Sequence, residues 1–125
     1  MGKTCEWSCR SCGLSWRLDV GHGMNHALLQ TVAEEFPPEM RQEIGNLAAG
    51  EKWPVFNFNF RPALCSYCRS LVATPEIEFP KKGRTITGGC TLCGHPVNPV
   101  KEDEEILCPH CGGAKLEKTV VGDWD

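Results

Sequence analysis

Eight of the nine cysteines fall into four C-x-x-C pairs, Cys9/Cys12, Cys65/Cys68, Cys90/Cys93 and Cys108/Cys111. A C-x-x-C turn sets two thiolates on one side of a tight loop, and two such turns close a four-sulfur cage around one ion. Four pairs are therefore the ligand count of two tetrahedral four-cysteine zinc sites. Whatever strands and helices form must bring these turns together in twos.

The competing use of cysteines is disulfide bonding. It suits oxidising compartments, and adjacent C-x-x-C cysteines make strained, redox-active bridges when they pair with each other. The N-terminus has no basic and apolar stretch of the signal-peptide kind, and no apolar run is long enough to span a bilayer. A cytoplasmic chain with reduced cysteines and no membrane association is expected. With 125 residues, 41% of them hydrophobic, the chain has apolar side chains for one ordinary core or two small ones. Each of two half-size cores is marginal without a metal staple.

The formal net charge is -3 with thiols neutral. Eight thiolates and two divalent ions take it to about -7. A net acidic protein lacks the broad basic face that sequence-independent nucleic-acid binding needs.

Along the chain, Leu14, Trp16, Leu18 and Val20 alternate with Ser15, Arg17 and Asp19, a half-buried strand that ends at Gly21 and Gly23. From about Asn25 the period lengthens. Leu28, Val32 and Phe36, with Met24 and Ala27, form the stripe of an amphipathic helix stopped by Pro37 and Pro38. Pro38 and Glu39 suit the start of a second helix with Met40, Ile44, Leu47 and Ala48 on its apolar face and Gly50 at its close. The pair reads as a helical hairpin over about 24–49.

Val55 to Phe60 alternates aromatic and polar residues and runs as a strand into the second C-x-x-C pair. Ile77 and Phe79 alternate with Glu76 and Glu78 before the basic turn Lys81-Lys82-Gly83-Arg84, where a domain boundary is placed. Thr85 to Thr87, Ile106-Leu107 and Leu116 to Val121 are the strand-like segments of the last third.

Four pairs join into two sites in three ways. Cys93 and Cys108 are separated by 14 residues and Cys68 and Cys90 by 21, near the 15 to 20 typical between zinc-ribbon turns. Strand-like flanks within each half favour the sequential pairing: Cys9, Cys12, Cys65 and Cys68 on site one, with the hairpin inserted between its turns, and Cys90, Cys93, Cys108 and Cys111 on site two. A nested pairing (middle pairs together, outer pairs together) and an interleaved cross-brace keep the same eight ligands.

Gly13, Gly94 and Gly112 follow the second cysteine of their pairs, where positive φ turns backbone N–H groups toward sulfur. Arg69 holds that place after Cys68, which points to a less regular turn there. Cys108-Pro109-His110-Cys111-Gly112 resembles both zinc-ribbon and rubredoxin turns, so iron is an alternative occupant to zinc.

Other residues have milder readings. Cys5 has no neighbouring base and reads as a small buried residue. His22 and His26, spaced i, i+4, lack the carboxylate of an H-E-x-x-H site and read as capping or surface groups. His95 and His110 lie beside saturated four-cysteine sets. Glu102-Asp103-Glu104-Glu105 reads as a solvated loop, and Lys81, Lys82 and Arg84 make only a small phosphate footprint. Phe56, Phe58 and Phe60 have the spacing of a base-stacking platform, but also that of the lining of a sheet–helix core, which is the preferred reading.

Residues 9–79 resemble CpXC-type bacterial zinc-ribbon proteins. They share the Cys9-Arg10-Ser11-Cys12-Gly13 turn, a strand, a helical stretch with Glu39-Met40-Arg41-Gln42-Glu43-Ile44, the Gly50-Glu51 step, an aromatic strand and a second C-x-x-C. Cys65-Ser66-Tyr67-Cys68-Arg69 departs from the family's C-P-x-C-G turn in lacking both proline and glycine. From Thr85 onward the chain looks like a generic zinc ribbon. The resemblance implies ribbon folds and structural zinc, and no particular activity.

The expectation is a small metal-stabilised α+β protein of two zinc ribbons of short antiparallel strands. Residues 1–80 carry the helical hairpin insertion and 81–125 form the second ribbon. Two Zn2+ ions are structural, no catalytic residue is indicated, and the partner is another protein. Nucleic-acid binding and a rubredoxin-like redox role are the alternatives.

Overall fold

The computed structural model describes residues 2–101 and 104–124. Strands β1 (Gly2–Ser8) and β2 (Ser15–Val20) lead into a 3-10 turn (Met24–Ala27), helix α1 (Leu29–Ala33) and helix α2 (Pro38–Ala48). Five more strands follow: β3 (Asn57–Cys65), β4 (Ser70–Phe79), β5 (Arg84–Thr87), β6 (Asn98–Pro99) and β7 (Glu117–Trp124). The result is a small α+β fold of two antiparallel sheets, one ordered β2-β1-β7 and the other β5-β4-β3-β6.

In the larger sheet, β3 and β4 pair from Asn57↔Glu78 to Cys65↔Ser70. Alternation places Phe58 and Leu64 of β3 on one face with their partners Ile77 and Leu71 of β4. At one end that face is covered by Val32, Phe36 and Ile44 of the helical segment. At the other it packs on Cys5 and Trp7 of β1. The aromatic triplet therefore belongs to the core: Phe58 is buried, and Phe56 and Phe60 pack beside it.

The opposite face carries Ala63 and Val72, buried with Val97 and the cysteine pair Cys90/Cys93. Thr74, fully buried, donates its hydroxyl to the carbonyls of Gly88 (2.7 Å) and Gly89 (3.2 Å), tying down the chain just before Cys90. Leu71, Val72 and Thr74 are thus all buried. A strand covered on both faces loses its alternation, which is why the first half of β4 leaves no periodic signal.

The helical segment departs from the single stripe expected over Asn25–Phe36. Leu28 is extended (φ -101°, ψ 127°) and separates the 3-10 turn from the short α1. Met24 and Leu28, expected on the buried stripe, are 76% and 67% exposed. His26 takes the inward place instead. Its Nδ1 accepts the Gly23 N–H at 2.8 Å, and its ring contacts Phe58, Phe60 and Trp124. Helix α2 does begin at Pro38 with Glu39 in its first turn, and Gly50 follows it at φ 82°. Arg41 reaches back to the carbonyls of Phe36 and Glu34, holding the link between the helices.

The division expected after residue 80 lies in the turn between β4 and β5, which pair within one sheet (Phe79↔Arg84). Strand β7, from the far end of the chain, pairs with β1 along its length, with a bulge between Thr4 and Cys5. Trp124 fastens this closure: its indole N–H donates to the carbonyls of Lys3 (3.2 Å) and Val20 (3.0 Å). Among the described residues, no helix is long and apolar enough to cross a membrane. Glu102 and Asp103 of the expected acidic loop lie outside the described residues.

Candidate metal centres

The eight paired cysteines gather into two clusters, Cys9/Cys12/Cys108/Cys111 and Cys65/Cys68/Cys90/Cys93, with all four sulfurs of each within 4.8 Å of one another. This corrects the sequential pairing: Cys9 and Cys12 meet Cys108 and Cys111, while Cys65 and Cys68 meet Cys90 and Cys93. The nested alternative is the one the fold adopts. Strand pairing is the cause. Antiparallel β1–β7 contact sets Ser8 opposite Glu117, so the turn after β1 lies against the turn before β7. In the larger sheet the Cys65–Cys68 turn joins β3 to β4, and the Cys90–Cys93 turn crosses from β5 on one edge to β6 on the other.

The four turns are built alike. Cys9, Cys90 and Cys108 donate their N–H to the carbonyls of Leu14, His95 and Ala114 at 2.8 to 2.9 Å. Their own carbonyls accept the N–H of Gly13, Gly94 and Gly112 at 2.8 to 3.0 Å. Those glycines have φ of 79°, 79° and 65°. Arg69 takes the same left-handed conformation at φ 53°, so the turn expected to be irregular follows the pattern of the others. Its guanidinium donates to the carbonyl of His110 in the other cluster.

Backbone N–H groups also point at sulfur: Cys12 to Cys9 (3.5 Å), Cys68 to Cys65 (3.4 Å), Leu92 to Cys90 (3.4 Å) and Gly113 to Cys111 (3.3 Å). Such donors spread thiolate charge and stiffen the cage.

The donor sets fit a tetrahedral thiophilic ion. Closest sulfur pairs lie at 3.6 Å (Cys9–Cys111), 3.7 Å (Cys12–Cys108), 3.6 Å (Cys65–Cys93) and 3.9 Å (Cys68–Cys90). A tetrahedron with zinc–sulfur arms of about 2.3 Å has edges of about 3.8 Å, whereas disulfide sulfurs lie about 2.05 Å apart. All nine cysteines are free.

Acidity divides within each cluster. The Cys68 N–H, followed by neighbouring sulfurs, outweighs burial and brings the Cys65 thiol down to about 7. Burial raises the Cys108 thiol, but N–H groups of Cys111 and His110 with the Cys9 and Cys111 sulfurs bring it down to about 6. The Cys93 sulfur, together with burial and the other cluster sulfurs, pushes Cys68 up to about 12. At Cys12 a backbone hydrogen bond involving Leu14 lowers the thiol, but burial and the surrounding sulfurs carry it to about 12. The thiols of a cluster therefore do not ionise alike, and binding a cation releases the protons that remain.

Residues outside the clusters have structural places. Cys5, 1% exposed, packs with Trp7 and Leu71. The Nδ1 atom of exposed His22 lies 3.1 Å from Asn59 Oδ1. His95 Nδ1 lies 3.2 Å from Cys93 Sγ, and its ring stacks on Tyr67 with centroids 3.9 Å apart. A groove of about 750 Å3 between the sheets is lined by Trp7, Phe60, Arg61, Glu76 and Lys118 among others. Arg61 pairs with Glu76 at 3.1 Å, and Lys118 Nζ sits 5.6 Å from the Trp7 ring centroid.

Sequence reasoning missed three residues that organise the centres: Arg69 as a left-handed donor, Thr74 as the anchor before Cys90, and Trp124 as the clasp on β1. Only Arg69 carried a signal, its place where the other turns have glycine. No family model, no curated protein and no solved structure matches this chain.

Proposed function

We propose that this chain is a zinc-binding adaptor whose two four-cysteine centres are structural and whose surface engages another protein. The observation that carries the reading is the sulfur geometry: two sets of four sulfurs with closest pairs of 3.6 to 3.9 Å. Four thiolates fill a tetrahedron and leave no position for water or substrate, so the metal's work is to hold the fold. The Cys9–Cys12 turn joins antiparallel β1 and β2 and the Cys65–Cys68 turn joins antiparallel β3 and β4, which supports reading both centres as zinc-ribbon-like.

A protein partner is supported by exposed apolar side chains. Trp53 is 82% exposed, and Tyr67 and Leu92 stand outward on the turns of the second cluster. Anchors of this size are the usual centres of protein interfaces.

The test is metal content and partner class. Freshly purified reduced protein is expected to hold two zinc ions per chain by native mass spectrometry and elemental analysis. Zero or one ion would overturn the two-centre reading, and iron in their place would turn it toward redox chemistry. Pull-downs at low and moderate salt separate the partner classes, because phosphate-driven binding weakens steeply with salt and an apolar protein contact does not.

A further inference from the structure

Three of the four turns use glycine at the left-handed position after the second cysteine, whereas the turn of Cys65 and Cys68 uses Arg69 at φ 53°. Left-handed backbone is unfavourable for any residue with a Cβ, so the turn alone does not account for an arginine there. The side chain does. Its guanidinium crosses to the carbonyl of His110, which lies between Cys108 and Cys111 in the other cluster.

The strands that run from these turns also share a core. Leu71, two residues beyond Arg69, is buried with Cys5 and Trp7, the part of β1 that leads into Cys9. One turn of each cluster is therefore joined to the other by a hydrogen bond, and the adjoining strands β1 and β4 share a core.

We propose that Arg69 is a positioning residue that couples the two metal centres, so that zinc in one raises the affinity of the other. This rests on the metal-binding reading given above. Zinc at Cys65, Cys68, Cys90 and Cys93 tightens the Cys65–Cys68 turn and fixes the Arg69 backbone in its left-handed form. The guanidinium is then aimed at the His110 carbonyl and holds the Cys108–Cys111 turn in its ligating shape. Linkage makes the effect reciprocal.

Arg69→Gly keeps the turn, since glycine is what the sister turns use, and removes the donor. Arg69→Lys keeps a cation and a donor. The full apo chain is titrated with Zn2+ against a competing chelator, and cysteine alkylation mapped by mass spectrometry reports the occupancy of each centre. In R69G the zinc affinity of the Cys9/Cys12/Cys108/Cys111 centre, measured with the other centre filled, is expected to fall about fivefold or more. By reciprocity that of the Cys65/Cys68/Cys90/Cys93 centre, measured with the first filled, is expected to fall by the same factor, with R69K in between, whereas R69G should lower neither centre's affinity when the other is emptied by Cys108→Ser or Cys90→Ser. R69G leaving both affinities unchanged, or lowering a centre's affinity as much with the other centre empty as with it filled, overturns the coupling while two-zinc binding by the wild type keeps the metal reading intact. Wild-type protein that takes up no zinc overturns the metal reading, and the coupling with it.

Discussion

Ser8 and Glu117 stand opposite each other across the antiparallel pair β1–β7, and this register places Cys9 Sγ 3.6 Å from Cys111 Sγ. The contact closes the chain on itself and leaves the middle cysteines to each other. The first centre is consequently held by both ends of the chain, and the second by the larger sheet alone.

Cys108→Ser is expected to cost the metal of the first centre only. Alkylation mapping should then find Cys9, Cys12 and Cys111 reactive while Cys65, Cys68, Cys90 and Cys93 stay protected. Reactive Cys90 and Cys93 beside a protected Cys9 would restore the sequential pairing.

Thr74→Val keeps the shape of a fully buried side chain but removes the donor to the Gly88 and Gly89 carbonyls. A loss of about 1–2 kcal/mol in urea-unfolding stability is expected. The second centre should also lose its metal to a chelator faster than the first, because the anchored chain leads directly to Cys90.

Trp124→Ala removes two indole hydrogen bonds to β1 and β2 and the ring contacts with His26 and Phe60. About 2 kcal/mol of stability is expected to go with this half-buried side chain. Amide exchange should quicken in β1 and β7 while β3 and β4 remain protected. Uniform quickening would show that the two sheets unfold as one unit.

Cys5→Ala is expected to leave metal content at the wild-type value and to cost about 1 kcal/mol, as for trimming a small buried side chain. Loss of a metal ion in this variant would make Cys5 a ligand.

Acid should empty both centres. The Cys65 and Cys108 thiols, brought from the ordinary 9.0 to about 7 and about 6, favour the thiolate in the folded chain. That preference is fully present above 9.0 and is lost as pH falls through those values. Protons then compete with zinc for every sulfur, so retention against a chromophoric chelator should be complete near pH 8 and gone below about pH 5. Retention unaltered at pH 4 would contradict thiolate ligation.

Much of the local structure was legible because it follows from short-range rules. The alternation around Trp16 and Leu18 is β2, Pro38 opens α2, and the aromatic triplet forms a core with the helices. Periodicity misplaced Met24 and Leu28 because it is blind to His26, whose ring is drawn inward by three aromatic neighbours and whose Nδ1 ties down the preceding backbone. It was weak over the start of β4 because burial on both faces erases the pattern.

The C-x-x-C spacing by itself determined that four two-sulfur turns exist, since two sulfurs within four positions are a matter of local backbone geometry, while only the structure placed Arg69 in the left-handed form of the three glycines. Which turns meet was decided only by the tertiary structure. The three pairings use the same eight sulfurs and the same local turns, so no local feature ranks them. The choice rests on β1 finding β7 from the far end of the chain and on the burial of Cys5 and Trp7 against Leu71. Those are long-range contacts whose free energy appears only when the whole core assembles.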